Sequence, residues 1–526
     1  METLINFFTN LAWWVWLIIL FLIVAIRDIF QKKRTIQHNF PLVGHLRYML
    51  ESIGPEIRQY FVANNREELP FNRRHRSWIY ASSKKENNFQ GFGTDQDMTA
   101  AGYILIKPAL LPFKLPENHI NRIEPSTIPC AKVIGLANKR KKPYKPYSIV
   151  NISGMSYGSL SSTATQSMNL GAKKMGCFHN TGEGSLSPYH SNGADVILNI
   201  GTAYFGVRDL EGNFSMKKLV EMASKNQFIK AIELKLSQGA KPGKGGVLPA
   251  AKITKEIAEI RNIPVGVDVI SPAYHSAFSN IDEMLVFIEN MAENTGLPVG
   301  IKSAVGKLEM WEELAEKMAK TGSGPDFITI DGGEGGTGAA PPAFADHVSL
   351  PFTHGFAKIY QIFKKHNLTE KVVFIGSGKL GFPANAIMAF AMGCDLINVA
   401  REVMLSVGCI QAQLCHTNRC PTGVATNNTW LQSGIDPALK SERVYNYFKT
   451  LNKEILEITH ACGYEHPSQL TMLDVDIAVG SNNTASLKET YGYYKVPVKF
   501  ESINKLILSE YMGGGKKIEN TPTNLL

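Results

Sequence analysis

Three cysteines lie close together in the sequence and could bind a metal centre. They are Cys409, Cys415 and Cys420, spaced C-x5-C-x4-C and followed by Pro421. Zinc would need a fourth ligand, and the available His416 adjoins Cys415, which makes joint tetrahedral coordination difficult. Thiolates with a trailing proline favour an iron–sulfur cluster, and three ligands predict a cluster that lacks one iron corner. The other cysteines are isolated, and we expect small buried hydrophobic residues: Cys130, Cys177, Cys394 and Cys462.

A second chemical pattern is the glycine-rich segment 376–381 (GSGKLG), which follows the apolar run VVFI. It matches GxGxxG, but a dinucleotide-binding interpretation requires an acidic residue at the end of the next strand. Asp395 precedes that strand, LINVA, instead of ending it. Backbone N–H groups and Lys379 at a helix N-terminus would bind phosphate equally well, so we interpret the segment as a mononucleotide phosphate site.

The segment 331–341 (DGGEGGTGAAP) is denser in glycine and begins directly after the apolar run FITI. Glycines allow the backbone to approach a flat ligand or its phosphate closely. A flexible loop is the alternative, but flexible linkers seldom start at a buried strand and end in Ala-Ala-Pro. We therefore interpret this segment as a ligand-binding loop.

These motifs belong to a repeated pattern of strands and helices that starts near residue 148. Short apolar, β-branched runs alternate with helical periodicity, which is typical of parallel strands buried on both faces. About eight units over about 250–280 residues predict an α/β fold, a (β/α)8 TIM barrel. Several glycines follow strand ends, which form the catalytic face of such a barrel. The eight strands are predicted at 149–153, 177–181, 196–200, 231–236, 298–303, 327–331, 372–376 and 396–400, with 264–271 as a further candidate.

The excess of positive over negative charge lies in the N-terminal quarter of the chain. The 526 residues carry a net charge of +9, and residues 1–148 hold 21 Lys and Arg against 11 Asp and Glu. The composition excludes collagen, low-complexity disorder and disulfide-stapled secreted modules. Basic clusters at 73–76 and 139–145 allow a nucleic-acid interpretation. We favour the alternative that they lie near an anionic membrane surface, and we expect no nucleic-acid partner.

An apolar run near the N-terminus predicts a transmembrane anchor. Residues 3–26 contain no charge, and 11–26 (LAWWVWLIILFLIVAI) are apolar throughout, about the length that a spanning helix needs. A cleavable signal peptide would have its positive charge before the run, whereas the four basic residues between 27 and 34 follow it. The positive-inside rule therefore predicts a single-pass protein of the cell membrane with its catalytic domain on the cytoplasmic side.

The predicted domains follow from these boundaries. They are a transmembrane anchor at 1–30, a basic N-terminal extension at 31–147, the barrel at 148–430, and a helical or mixed C-terminal extension with a tail at 431–526.

Seven motifs occur in a fixed order over more than half of the chain. They are GMSYGSLS (154–161), NTGEGS (180–185), KLSQGAKPGKGGVLP (235–249), ISP (270–272), GGTGAAP (335–341), GSGKLG (376–381) and GCIQAQLCHTNRCPTGVAT (408–426). Together they resemble the FMN-binding, iron–sulfur domain of the glutamate synthase family. The anchor and residues 38–80 further resemble its stand-alone, membrane-anchored bacterial members.

This resemblance implies FMN and a 3Fe-4S cluster, with Cys409, Cys415 and Cys420 as cluster ligands. It implies reduction of 2-iminoglutarate, formed from 2-oxoglutarate and ammonia, to L-glutamate. Glu183, Lys241 and Arg261 are the implied catalytic and substrate-binding residues. Lys235 would neutralise negative charge on the reduced flavin. The implied cofactor-binding residues are Met155, Ser156, Gly158, Lys235, Gln238, Gly335, Gly336, Thr337, Gly376, Ser377, Gly378 and Lys379.

The sequence also departs from the family pattern, and the departures leave alternatives open. Val247 stands where the family has a polar glutamine, and Gly333-Glu334 stand where it usually shows His before the acid. We expect no glutaminase domain and no β-helical domain in this chain, so ammonia would be free or delivered by a partner. The alternatives are a flavin oxidoreductase acting on another imine or amino acid, and a membrane-tethered electron-transfer subunit. We expect the electron donor to be ferredoxin or a reductase subunit.

Overall fold

A computed structural model of the chain describes residues 12–497 except 118, 123, 125, 481 and 496. The predicted anchor residues 1–11 and the predicted tail 512–526 lie outside the described residues. The chain divides into two compact units at Ser77 and Trp78. The division into four domains remains a prediction.

The N-terminal unit is built from helices. Helix α1 is apolar on every side, and its side chains are largely exposed. Among the described residues α1 alone is long and apolar enough to cross a membrane, by length and composition, a test that buried core helices and signal sequences also pass. The helices are α1 (Trp13–Phe30), α2 (Thr35–Asn39), α3 (Gly44–Ile57), which continues into a π-helical turn (Arg58–Val62), and α4 (Arg73–Lys84), which crosses into the second unit.

The second unit contains a closed barrel of eight parallel strands, in the order β2-β3-β4-β5-β8-β9-β10-β11 and back to β2. The strands are β1 (Ile104–Ile106), β2 (Val150–Ile152), β3 (His179–Asn180), β4 (Val196–Ile200), β5 (Ile229–Lys235), β6 (Val247–Leu248), β7 (Val269–Ile270), β8 (Val299–Ser303), β9 (Phe327–Asp331), β10 (Val373–Ser377), β11 (Leu396–Val399), β12 (Val475–Gly480) and β13 (Asn483–Ser486). The prediction of a TIM-like α/β barrel is confirmed.

The helices of the second unit surround or extend this barrel. They are α5 (Ser162–Met175), α6 (Met216–Lys225), α7 (Lys255–Arg261), α8 (Ile281–Thr295), α9 (Glu309–Thr321), α10 (Pro342–His347), α11 (Phe352–Lys365), α12 (Pro383–Met392), α13 (Arg401–Val407), α14 (Thr429–Gln432), α15 (Pro437–Ala461) and α16 (Leu487–Tyr491). The long helix α15 packs on α5. A Cβ on Gly171 of α5 would lie 2.5 Å from a methyl carbon of Val444, so a glycine is required for this close approach.

All eight predicted barrel strands are present, two of them with the predicted bounds and the others with ends shifted by at most two residues. The further candidate at 264–271 contributes only β7, which pairs antiparallel with β6 outside the barrel. Val265 and Val267 of that segment are exposed, so its apolar pattern does not mark a core strand. A sheet that the sequence analysis did not predict joins β1 to β12 and β13.

The interior of the barrel is partly polar. The carboxylate of Glu233 on β5 accepts hydrogen bonds from Asn180, Asn199 and Thr329 at 2.8, 2.7 and 2.8 Å. Glu233 is almost fully buried, and these three donors offset the cost of removing its charge from water. The network ties β3, β4, β5 and β9 together beneath the ends from which the site loops start.

Candidate active site

The loops that follow the barrel strands pack closely because glycines occupy their contact points. A Cβ on Gly182 would lie 2.6 Å from the backbone nitrogen of Ser156, and one on Gly239 would lie 1.9 Å from the carbonyl oxygen of Gly332. The N–H of Gly239 donates to Asp331 Oδ2 at 2.9 Å. Any side chain at these glycines would separate the loops, so the glycine pattern in the sequence positions the site.

Glu183 and Lys235 form the central ion pair of this face, with 2.9 Å between Oε2 and Nζ. Lys235 Nζ also donates to Gln238 Oε1 at 3.2 Å, and Gln238 Nε2 donates to the carbonyl of Gly336 at 2.7 Å. A Cβ on Gly246 would lie 1.8 Å from Glu183 Oε1. The carboxylate is therefore held from several sides, and the loops after β3, β5 and β9 meet at it.

Two further buried cations lie near this pair. Lys241 Nζ donates to the carbonyl of Ala339 at 2.9 Å. Arg261, at the end of α7, donates through Nη2 to the carbonyl of Tyr157 at 2.7 Å and to Ser156 Oγ at 3.2 Å. Its Nε is buried and has no hydrogen-bond partner among the described residues. A buried guanidinium with an unused donor is suited to a ligand oxygen.

The pKa shifts of Glu183, Lys241 and Arg261 reflect their burial and the charges around them. Burial raises the pKa of Glu183, but the ammonium of Lys235 and the charges of Lys241 and Arg261 outweigh it, so the pKa is lowered. Burial lowers the pKa of Lys241, and it lowers the pKa of Arg261 to about 10. One carboxylate thus faces three cations in a place of low exposure. This balance favours an anionic ligand.

A second cationic place lies at the ends of β10 and β11. Lys379 follows Gly378 in the left-handed region, with φ of 53°. Burial lowers the pKa of Lys379, and the nearby Arg401 lowers it further. Arg401 donates to the carbonyl of Glu334, and its Cδ would lie 2.6 Å from a Cβ on Gly336. Two neighbouring cations, of which Arg401 is the first residue of α13, would be stabilised by a phosphate between them.

The carboxylate of Glu334 contacts the backbone at the start of a helix. Both of its carboxylate oxygens accept the N–H of Phe352, at 2.8 and 3.1 Å, at the start of α11. A carboxylate at a helix N-terminus is stabilised by the unpaired N–H groups there. Burial nevertheless raises the pKa of Glu334.

The three clustered cysteines lie on one irregular loop and form no disulfide among the described residues. Cys409 and Cys415 are half-buried, and Cys420 is buried. Burial raises the pKa of Cys415, and the neighbouring Cys420 raises it further. In the part of the chain that the structure describes, no group of three or more His, Cys, Asp or Glu residues surrounds a single metal ion. Cys409, Cys415 and Cys420 do not form such a group, so their role as ligands of an iron–sulfur cluster remains a prediction.

Lys252 links this loop to the barrel face. Its Nζ donates to the carbonyls of Ser159, Cys415 and Ala425 at 2.5, 3.2 and 3.2 Å. The side chain is almost fully buried, and burial lowers its pKa to about 8. Asn427 adds a second link, because its Nδ2 donates to the carbonyl of Gly158 at 2.8 Å. The cysteine loop is therefore fastened to the loop that follows β2.

A family model described as a conserved region in glutamate synthase matches residues 103–465. The chain belongs to the glutamate synthase family. The glutamate synthase large subunit-like protein YerD of Bacillus subtilis (strain 168) is 38% identical over 484 residues, 86% of this chain and 91% of that protein. The archaeal glutamate synthase (NADPH) of Methanocaldococcus jannaschii is 33% identical over 372 residues, 70% of this chain and 68% of that protein.

Among solved structures, a mutant flavocytochrome b2 with pyruvate bound is 12% identical, with coverage of 91% of this chain and 93% of that chain at a TM-score of 0.43. Likeness at that level supports no statement about this family member beyond the barrel already described.

In this glutamate synthase family member, the predicted site residues fall into three groups. Glu183, Lys235, Gln238, Lys241 and Arg261 lie together with the loop at 335–337. Ser377, Gly378 and Lys379 lie with Arg401 at the neighbouring strand ends, and the predicted cysteine ligands lie on the loop that Lys252 holds. Met155 and Gly158 adjoin the first group, since Cβ atoms on Gly182 and Gly158 would lie 3.0 Å from the Met155 nitrogen and 3.1 Å from the Arg261 guanidinium.

Two functional candidates escaped the sequence analysis. Arg401 directly follows the strand LINVA, so the rule that strand ends carry site residues could have found it. Lys252 lies in the apolar stretch VLPAAKI, and a lone charge between apolar residues was its only signal.

Proposed function

We propose that this glutamate synthase family member is an FMN- and iron–sulfur-dependent oxidoreductase that reduces 2-iminoglutarate, from 2-oxoglutarate and ammonia, to L-glutamate. The observation that carries this proposal is the buried Glu183 carboxylate, paired with Lys235 and close to Lys241 and Arg261. Two excess positive charges at this place match the two carboxylates of the substrate.

The residues present fit FMN. Lys379 and Arg401 would hold its phosphate, and the glycine loop at 335–337 would lie against the rest of the molecule, because it offers backbone without side-chain bulk. Gln238 and Lys235 would present polar atoms to the ring system. When bound, FMN supplies the electron pair for reduction of a carbon–nitrogen double bond.

The residues of this chain would orient the substrate and manage charge. Arg261 has an unused Nε donor beside its contacts to Ser156 and Tyr157, and it would bind one carboxylate. Lys241 would bind the other from its position on Ala339. Glu183 holds Lys235 in place through their ion pair. The lowered pKa of Glu183 keeps its carboxylate ionised at neutral pH, ready to pair with an iminium cation.

The cysteine loop would hold a 3Fe-4S cluster that passes electrons inward. Three thiols on one loop, two of which (Cys415 and Cys420) interact electrostatically with Lys252, support this assignment. The electron donor would be a ferredoxin or a reductase subunit. NADPH appears in the name of the archaeal relative, so an NADPH-linked partner is the second donor to test.

The protein would be anchored in the cell membrane by α1, with the barrel on the cytoplasmic side. The exposed apolar surface of α1 and the basic residues Arg27, Lys32, Lys33 and Arg34 at its end support this topology.

The test uses the detergent-solubilised full chain. FMN and iron are quantified, the protein is reduced anaerobically, and flavin reoxidation is followed with 2-oxoglutarate plus ammonia. We expect rapid reoxidation that requires both compounds. If the flavin stays reduced with 2-oxoglutarate plus ammonia but reoxidises with a different keto acid plus ammonia, the substrate is that other imine. Val247, which follows Gly246 next to Glu183, is the residue that motivates this alternative. A preparation without FMN and iron would contradict the cofactors.

A further inference from the structure

Helix α3 carries a continuous apolar face that nothing in the described chain covers. Val43, Leu46, Leu50, Ile53 and Ile57 recur at intervals of three and four residues. Their exposed fractions are 71, 52, 49, 42 and 39%. Phe61, on the π-helical turn that continues the helix, extends the same line and is 83% exposed. At about 100° per residue these positions fall within an arc of about 80° of the helix circumference.

Apart from the exposed Met49 beside the apolar face, the remaining circumference is largely polar. Arg47, Glu51, Ser52 and Glu56 lie on the other sides of α3. Gly44 is its single buried residue. A helix of about this length is marginal in water by itself and is normally stabilised by burial of its apolar face. The exposed face therefore requires an environment that takes apolar side chains on one side and charged ones on the other.

The end of α1 fixes where α3 begins. The buried carboxylate of Asp28 accepts the N–H of Leu42 at 3.0 Å, and it pairs with His45 Nε2 at 2.8 Å. His45 Nδ1 lies 3.0 Å from Gln37 Nε2. These contacts join the last turn of α1 to the first turn of α3 through short polar bonds. If α1 spans a bilayer, its last turn lies at the headgroup level, and α3 starts at the same level.

Charge complementarity points to the same environment. Lys32, Lys33 and Arg34 lie between α1 and α3, and Arg47 and Arg58 lie along one edge of the apolar face. Basic side chains beside an apolar face suit an anionic headgroup layer above hydrocarbon. The C-terminal end of the π-helical turn that continues α3 is also capped, because Arg73 Nη2 donates to the carbonyls of Gln59, Tyr60 and Ala63 at 3.1 Å each.

We propose that α3 and the following turn form a second membrane-binding element, which lies in the interface of the bilayer with the Leu46–Leu50–Ile53 face toward the lipid chains. The inference rests on the proposed membrane anchoring by α1. The occupant of this face is the lipid surface itself. The Asp28–His45 contact holds the element at the depth of the helix end.

The test places a photoreactive p-benzoylphenylalanine at single positions of the full chain, in vesicles of phosphatidylethanolamine and phosphatidylglycerol. Leu50 samples the apolar face, and Ser52, about 200° further around the helix, samples the polar side. Phe21 in α1 is the control for the anchor. We expect lipid adducts at Phe21 and Leu50 and at least tenfold less at Ser52, measured by mass spectrometry after irradiation.

The outcomes separate the two proposals. Adducts at Phe21 without lipid adducts at Leu50, or with Leu50 linked to a second copy of the chain, would overturn the inference and leave the anchor intact. Equal lipid labelling at Leu50 and Ser52 would also overturn it, because the face would then have no orientation. Failure of Phe21 to label lipid would contradict the anchor and the inference together.

Discussion

The two units of this protein place polar and apolar side chains in opposite ways. Around the barrel, apolar side chains are buried, and the buried charges make ion pairs or hydrogen bonds, as Glu183 does with Lys235. In the N-terminal unit most large apolar side chains are exposed, while Asp28 and Gln37 are buried. The first arrangement suits a protein core in water, whereas the second suits a segment whose apolar solvent is lipid. This difference is the one expected if the proposed membrane anchoring is correct.

The largest expected effect comes from placing the same charged residue on an exposed apolar position of each unit. Ile18→Arg with Phe21→Arg in α1 would cost about 5–7 kcal/mol of membrane insertion, since each central arginine costs about 2.5–3.5 kcal/mol. We expect the protein to leave the membrane fraction. The matched change Val286→Arg on the exposed side of α8 should alter the free energy of unfolding by less than about 0.5 kcal/mol. Retention of the double variant in carbonate-washed membranes would contradict the proposed difference between the surroundings of the two units.

A pH-dependent effect should belong to the barrel unit. His275 contacts Tyr204 Oη at 3.1 Å and the carbonyl of Lys235 at 3.0 Å, and burial lowers its pKa to about 4. Below about pH 6.5 His275 takes up a proton in the unfolded chain but stays neutral in the folded chain, so stability is lost as the pH falls toward 4.

His275→Gln removes this proton uptake and keeps a hydrogen-bonding side chain. Between pH 7.5 and pH 5 the free energy of unfolding of the wild type should fall by about 2 kcal/mol relative to that of the variant. Thermal unfolding at the two pH values measures it. An unchanged difference would mean that His275 is protonated equally in both states.

Crowding at the central carboxylate should reduce turnover without unfolding the barrel. The methyl group of Gly246→Ala would meet Glu183 Oε1 at 1.8 Å and displace it. We expect kcat to fall about 10²-fold, as for other misplacements of about 1 Å in a site. Gly306→Ala is the matched control, because its added methyl group meets no atom within 4 Å. Normal kcat in Gly246→Ala, with bound flavin unchanged, would show that Glu183 has no part in the reaction.

The smallest effect concerns the cysteine loop. Lys252→Met leaves three backbone carbonyls without this donor, and we expect about 1–2 kcal/mol of lost stability with lower iron and sulfide content. Lys255→Met, the same change on an exposed side chain three residues away, should alter neither. Full iron content and an unchanged unfolding temperature in Lys252→Met would show that the lysine does not hold the loop.

The barrel could be predicted because its strands are short, β-branched and apolar throughout, which is the pattern of parallel strands buried on both faces. The sheet of β1, β12 and β13 could not, since Ile104–Ile106 is too short to differ from a loop and its partner lies about 370 residues away in the sequence. The segment 264–271 was misleading because valines also occur in exposed loops. Periodicity describes local patterning but says nothing about which surface is covered.

The position of glycine and charge at strand ends could be predicted from the sequence, as at 180–185 and 376–379, whereas the roles of these residues remain predictions. The resemblance added the roles of Lys241 and Arg261, which local pattern alone does not indicate. Lys252 was missed because its function depends on carbonyls of Ser159, Cys415 and Ala425, which come together only in the folded chain. The apolar face of α3 has a readable period, but its exposure is a property of the structure.

The most direct test of the proposed reaction is a single turnover with labelled nitrogen. The anaerobically reduced protein is mixed with 2-oxoglutarate and ¹⁵N-ammonium, and the products are identified by mass spectrometry, with Glu183→Gln as the comparison. We predict about one ¹⁵N-glutamate per reduced flavin in the wild type and strongly reduced formation in the variant. Flavin that is reoxidised without ¹⁵N-glutamate, or that stays reduced, would contradict the assignment.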